Sequence, residues 1–498
     1  MTKNGSEIHW TQSRTFWIVA AVVIIVVYFF GLTIPLVGPD EPRYAQVARE
    51  MFERGDWVTP TLGGFNWFEK PALLYWLEIV SYHIFGVNEF AARFGSAIFG
   101  LGTAASLWFL GRKTGKESFG NWIALIAASS IGIIVFARGA SFDIILTFPM
   151  TASLVCFFLW EQNKKAVLPL LGFYFFIGVA LLAKGLVGIV FPFGIVTFYH
   201  VLSWKFPDRV FVLSLFWGTV LSIVVASTWY LPMYLTHGWN FIDEFFVQHH
   251  FQRYTSNKYF HPQPFYFFLW VLPLMTIPWL PFFATGAWQG VKRIFRRGEE
   301  ETPNSHERSL LLFSFAWLLV PLVFFSFSGS KLPGYILPAL PPALIFAAIA
   351  VTHFVQAKQK RSAYVVGAAA ITFAVIVVLL ATTVPKFADN DSVKRLIAEA
   401  DAKGYSDAEV LSQHAISHNA EFYASGRLLR SADGKQMRLY GVNEILNEIR
   451  SRGGKPVLVL VPNEWAHQSL ENPLLKAELI AKNDETSIIV ARENMDQP

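Results

Sequence analysis

The feature that most constrains this chain is a succession of apolar runs about as long as a bilayer is thick. A helix needs about 20 mostly apolar residues to cross the hydrocarbon. Runs of that kind occur at 16–37, 89–110, 120–137, 144–160, 167–183, 186–204, 210–231, 265–288, 309–327, 332–354 and 363–384. Of the 498 residues, 53% are apolar and only 15% charged, with 47 Phe and 17 Trp. An aqueous fold of that composition would have too little polar surface to face water. The solvent is therefore read as lipid, which argues against a purely soluble enzyme and against a disordered tail.

Lys and Arg set the orientation. The segment 71–86 is apolar but short, and it carries Glu78 and His83. If it lies along the surface, the basic groups at 112/113/116, 164/165, 205/209, 292/293/296/297 and 358/360/361 share one side with Lys3 and Arg14. The positive-inside rule selects that arrangement: about eleven spans, the N-terminus in the cytoplasm, and everything after Val384 outside. The first run reads as an uncleaved anchor, being too long for a signal-peptide core. Two long loops, 38–88 and 233–264, then lie outside. Residues 385–498 mix charges with helix-like stretches (391–402, 442–452) and strand-like runs (457–461, 487–490), which predicts a small soluble α/β domain. The expected domains are thus 1–384 and 385–498. A net charge of +5 gives no argument for nucleic acid, and the lone Cys156 excludes disulfide frameworks and zinc-thiolate clusters.

Ten cations break the orientation rule by facing outward: Arg43, Arg49, Arg54, Lys70, Arg93, Arg138, Lys184, Arg253, Lys258 and Lys331. A cation held at the interface needs an anionic partner, either a carboxylate of the protein or a lipid phosphate. Asp40, Glu41, Glu69 and Asp143 lie close to several of them in sequence. The first loop opens with Gly-Pro-Asp-Glu-Pro-Arg-Tyr (38–44), followed by an apolar stripe at Tyr44, Val47, Ala48 and Met51 that predicts an amphipathic helix. Asp40 is placed as its N-cap. It is either only a cap or a carboxylate able to take a proton or orient a nucleophile. Glu69 and Lys70 set an acid beside a base. The second loop supplies Gln248 to Tyr254, with the pair His249-His250, and a late loop supplies Ser330 to Tyr335. A single His pair is a weak metal signal. Phosphate-cradling, dinucleotide, HExxH and GxSxG motifs are absent from the sequence. An activated substrate reaching outward-facing acids and bases would be carried by a lipid.

The segments Gly38 to Ala45, Trp67 to Pro71 and Lys331 to Pro338 together resemble the bacterial aminoarabinose (4-amino-4-deoxy-L-arabinose) transferases of the protein mannosyltransferase superfamily. The resemblance implies an all-α polytopic membrane protein of 11 to 13 transmembrane helices with the C-type glycosyltransferase fold. A small C-terminal α/β extracytoplasmic domain would complete it, in the bacterial inner membrane. It implies a monomeric enzyme that takes a sugar from a polyprenyl phosphate and transfers it to lipid A or another envelope acceptor, with no nucleic-acid partner. By the same resemblance Asp40 and Asp143 are catalytic, and Arg43, Tyr44, Lys70, Arg253, Lys331 and Tyr335 bind substrate or lipid phosphate. Glu69 and His250 match positions that hold a divalent metal, Zn or Mg. His249 departs from the pattern, which often has an acid there. A flippase of lipid-linked sugars and a protein O-mannosyltransferase are the rival readings.

Overall fold

A computed structural model describes residues 10–115, 117–252, 261–295 and 305–495. Each of the eleven apolar runs is helical over most of its length. Among the described residues, seven helices are long and apolar enough to cross a membrane: Glu89–Thr114, Phe142–Gln162, Val167–Lys184, Arg209–Gln248, His306–Ser326, Pro333–Ala357 and Gln359–Asp391. Phe267–Met275 and Leu280–Phe295 would make an eighth as one broken span bent by 117°. The bend falls at Pro278, which has no N–H to give to a continuing helix. The apolar helices Arg14–Phe29 and Val187–Ser203 are shorter. The run at 120–137 is two helices, Glu117–Ser129 and Ile131–Phe136, parted at Ser130 by an extended backbone. Leu213 and Phe216 stand 72% and 81% exposed on one long helix, a disposition suited to lipid and not to water. The helix Leu73–Phe85 has 13 residues, about 20 Å, too short for a hydrocarbon core of about 30 Å.

The first helix stops at Phe29 and not at 37. Gly31 follows in the left-handed region at φ 71°. Arg138 donates to the carbonyls of Val27 (2.9 Å), Tyr28 (3.4 Å) and Phe30, so a guanidinium closes the negative end of that helix. The expected loop 233–264 also differs. The helix Arg209–Ile242 runs through its first part, broken only at Gly238 (φ 57°), and helical turns continue to Gln252. Phe241 and Phe245, both fully buried, meet the Trp229 ring edge-on, which favours a helical continuation over a loop.

The chain divides into two compact units. One comprises the described residues of 1–30, 68–74 and 93–377; the other comprises 31–67, 75–92 and the described residues of 378–498. The tail after 384, expected to stand as a domain by itself, thus shares a unit with most of the first long loop.

In the second unit a five-stranded mixed sheet is built from β3 (Val410–Gln413), β4 (Arg438–Leu439), β5 (Val457–Pro462), β6 (Leu475–Lys482) and β7 (Thr486–Glu493), in the order β4-β3-β5-β7-β6. Strand β3 is parallel to β4 and β5, and β7 is antiparallel to β5 and β6. Because side chains alternate along a strand, Leu458 and Leu460 of β5 pack with Leu396 and Ile397 on one face. Val457, Val459 and Val461 pack with Ile445, Leu446 and Ile449 on the other.

The helix Asp40–Arg54 of the same unit buries Tyr44, Val47, Ala48 and Met51, the stripe expected from the sequence. Glu50 on this helix accepts from Thr61 Oγ1 (2.7 Å) and from the N–H groups of Gly63 (2.6 Å) and Gly64 (3.1 Å). That fixes the two-stranded hairpin β1 (Thr61–Leu62) and β2 (Phe65–Asn66) on the helix. Asp40 is not the N-cap: it is the first helical residue, after Pro39. Arg43 takes its carboxylate, while Glu41 Oε2 reaches back to the N–H of Val37 (3.0 Å).

Candidate functional site

In the first unit, Phe142–Gln162 begins and Val167–Lys184 ends with groups of opposite charge. Asp143 lies in the first turn of one helix, where its charge opposes the positive end of the peptide dipoles; Lys184 lies in the last turn of the other, where the reverse holds. The two side chains form an ion pair, each 19% exposed. Lys184 Nζ also lies 5.0 Å from the centre of the Tyr335 ring, within cation–π range, and that ring packs on Phe325. Tyr335 belongs to the 3-10 helix Pro333–Ala339, and the adjacent Gly334 leaves room for the pair: a Cβ there would fall onto the Asp143 carboxylate. The sequence placed Lys184 among the outward cations but not among the site residues.

Lys70 and Glu69 form a second pair in this unit, at 2.7 Å, both side chains largely buried. Phe68 beside them packs against His237 at 4.8 Å between ring centroids. Glu69, one of the two expected metal ligands, accepts the Lys70 ammonium on Oε1. No group of three or more His, Cys, Asp and Glu that could hold a metal is found among the described residues. The side chain of His250 and all of Arg253 lie outside them.

Lys331 is 6% exposed, and its ammonium donates to the carbonyls of Ser328 (2.6 Å) and Gln263 (3.0 Å), while its N–H donates to the His261 carbonyl (3.1 Å). It ties two loops together.

In the second unit, Arg43 donates to Asp40 Oδ1 at 2.6 Å and lies 5.5 Å from the Trp67 ring centre. The Asp40 side chain is 54% exposed and that of Arg43 23%. Tyr44, expected to touch substrate, is buried in the packed stripe. His418, an exposed residue of the tail, is not among the residues singled out from the sequence. Partial burial of its ring holds its pKa below the ordinary imidazole value, the charge of Arg43 lowers it further, and Asp40 opposes them. Arg49 and Arg54 have structural partners: Arg49 bonds Glu53 and the Phe422 carbonyl, and Arg54 bonds the Thr59 carbonyl and Thr61.

Residues 13–242 match the family model of dolichyl-phosphate-mannose-protein mannosyltransferases. A Yersinia enterocolitica undecaprenyl phosphate-alpha-4-amino-4-deoxy-L-arabinose arabinosyl transferase is 31% identical over 349 residues, 68% of this chain and 60% of that protein. A second such transferase, from Proteus mirabilis, is 30% identical over 407 residues, 76% of this chain and 68% of its own length. The chain belongs to the aminoarabinose transferase family. Its match spans about three fifths of the Yersinia relative's length. The family fold is seen in ArnT from Cupriavidus metallidurans bound to undecaprenyl phosphate, with a TM-score of 0.73 at 24% identity, covering 96% of this chain and 98% of that one. The oligosaccharyltransferase of Archaeoglobus fulgidus shares the fold more distantly, with a TM-score of 0.55 at 14% identity, covering 92% and 70%.

Proposed function

We propose that this chain is an integral-membrane glycosyltransferase that moves a sugar from undecaprenyl phosphate to lipid A or another envelope acceptor at the outer face of the bacterial inner membrane. Kinship points to 4-amino-4-deoxy-L-arabinose as the sugar. The observation that carries the reading is the occurrence of three cations, Arg43, Lys70 and Lys184, each paired with a carboxylate of its own unit within the residues 13–242 that the family model matches. Among the described residues, the seven long helices with the broken pairs at 117–136 and 267–295 and the shorter Arg14–Phe29 and Val187–Ser203 would make eleven spans, an odd number that supports an N-terminus and a tail on opposite sides.

Cleavage of a glycosyl phosphate builds positive charge on the anomeric carbon and negative charge on the departing phosphate. Cations already fixed by carboxylates need little reorganisation to meet that charge, which is how preorganised sites lower a barrier by several kcal/mol. In this reading Arg43 in the one unit and Lys70 in the other are each a phosphate contact. Asp143 and Tyr335 hold Lys184 over the sugar. An acceptor oxygen bonds to the anomeric carbon, the bond to the phosphate oxygen breaks, and its electron pair leaves with undecaprenyl phosphate. Asp40 orients the acceptor and takes the proton when that acceptor is a hydroxyl; a phosphate acceptor has none to give.

The test is to incubate the purified protein with a panel of polyprenyl-phosphate sugars and a lipid A acceptor. One donor is expected to be consumed, with free polyprenyl phosphate and glycosylated acceptor appearing together. Movement of the intact lipid-linked sugar across vesicles, with none consumed, would establish the flippase reading instead.

A further inference from the structure

The turn 418–423 is fastened to the stretch of chain that carries Asp40 and Arg43. Asn419, 5% exposed, donates from Nδ2 to the carbonyl of Asp391 (2.7 Å) and to its carboxylate Oδ2 (3.3 Å), and the same Oδ2 accepts the N–H of Gly38 (2.9 Å). The Tyr423 hydroxyl accepts the N–H of Leu36 (2.8 Å), and Arg49 donates to the Phe422 carbonyl (3.5 Å). None of these bonds uses the ring of His418, which makes no hydrogen bond or ion pair among the described residues and stays exposed. Trp67, whose ring lies beside Arg43, has a buried indole N–H that likewise lacks a partner. The cluster thus holds a guanidinium, an imidazole without a role in the fold and an unused N–H donor.

We propose that His418 is a binding residue for a phosphate monoester seated on Arg43, to which it donates a hydrogen bond as an imidazolium. The inference rests on the transferase reading, whose lipid phosphate it takes as ligand. The monoester belongs either to the polyprenyl carrier or to the acceptor. The charged groups around His418 are Arg43 and Asp40 on the helix Asp40–Arg54, Asp391 at the end of Ser362–Asp391, and Glu421 in its own turn. Asp391 is engaged by Gly38 and Asn419, and Glu421 is paired with Arg430. Without ligand, partial burial of the ring and then the charge of Arg43 favour the neutral imidazole, with Asp40 opposing them. A monoester of charge about −2 offsets that field and favours the protonated ring. Binding is then coupled to proton uptake, so the contribution of His418 to affinity is present at low pH and is lost as pH rises through the pKa of the bound state.

The test compares wild type with His418→Gln and His418→Lys, full-length in nanodiscs, binding undecaprenyl phosphate and, separately, a lipid A-type glycolipid bearing a phosphate monoester. His418→Gln is expected to bind one of the two lipids roughly tenfold more weakly at about pH 6 and about equally at pH 8.5. His418→Lys is expected to keep tight binding at both. The lipid that shows the loss identifies the source of the monoester. Identical pH profiles for wild type and His418→Gln with both lipids overturn the inference. Failure of the wild type to bind undecaprenyl phosphate at all overturns the transferase reading instead.

Discussion

Lys184, the last residue of one apolar helix, is paired with Asp143, near the start of another, and its ammonium lies 5.0 Å from the centre of the Tyr335 ring. Three segments far apart in sequence converge on one charge. Membrane interiors tolerate such charges only when they are paired and at work.

Removing one partner leaves the other charge partly buried. Lys184→Met is expected to lower stability by about 1–2 kcal/mol, between the exposed and buried limits for an ion pair. It should also reduce transfer roughly a hundredfold by removing a preorganised cation. The double variant Lys184→Met/Asp143→Leu should recover the stability and none of the activity. Thermal unfolding in detergent and a transfer assay on the same samples check both; recovered activity would assign the pair to folding alone.

A methyl group at Gly334 would fall onto the Asp143 carboxylate, whereas one at Gly367 meets nothing within 4 Å. Gly334→Ala is therefore expected to cost about 1–3 kcal/mol, as overpacking does, and most of the activity. Gly367→Ala should change neither. Equal behaviour of the two variants would remove the steric argument.

Lys331 and Lys70 separate two uses of a buried ammonium. Lys331→Met leaves the Ser328 and Gln263 carbonyls without their donor, so it should lower the melting temperature while leaving the salt dependence of undecaprenyl phosphate binding unchanged. Lys70→Met should flatten that salt dependence if Lys70 meets the phosphate as proposed. Titrations at two ionic strengths decide.

Metal removal gives a further expectation. With Lys70 Nζ 2.7 Å from Glu69 Oε1, extended dialysis against a chelator should leave the rate of transfer unchanged. A rate that collapses and returns on adding Zn or Mg would show that Glu69 gives up Lys70 for a metal.

The apolar runs were legible in the sequence because their length is set by the bilayer, and so was the stripe of Asp40–Arg54, because helical periodicity repeats it. Strand β5 could be read from a continuous apolar run. Strand β6, Leu475–Lys482, could not: it is a sheet edge whose Lys476, Glu478 and Lys482 look like a polar loop. The breaks at Ser130 and between 275 and 280 escaped a reading by hydrophobicity, which counts apolar residues and not hydrogen bonds. The pairs Asp40–Arg43 and Glu69–Lys70 could be anticipated because charge and partner are neighbours in sequence. The pairing of Lys184 with Asp143 spans 41 residues, and His418 comes from the tail, so only folding reveals either. The Asp40 N-cap reading failed because Arg43, one turn on, competes for the carboxylate.

Asp40 is proposed to serve sugar transfer and not the fold. The most direct measurement compares wild type with Asp40→Asn in proteoliposomes, following undecaprenyl phosphate released and acceptor glycosylated, with thermal unfolding of each protein alongside. Because its side chain is 54% exposed, the ion pair with Arg43 contributes at most about 1 kcal/mol to stability. The account predicts equal unfolding temperatures, with transfer by Asp40→Asn lowered at least about a hundredfold. A folded Asp40→Asn protein that releases and transfers at the wild-type rate would contradict it.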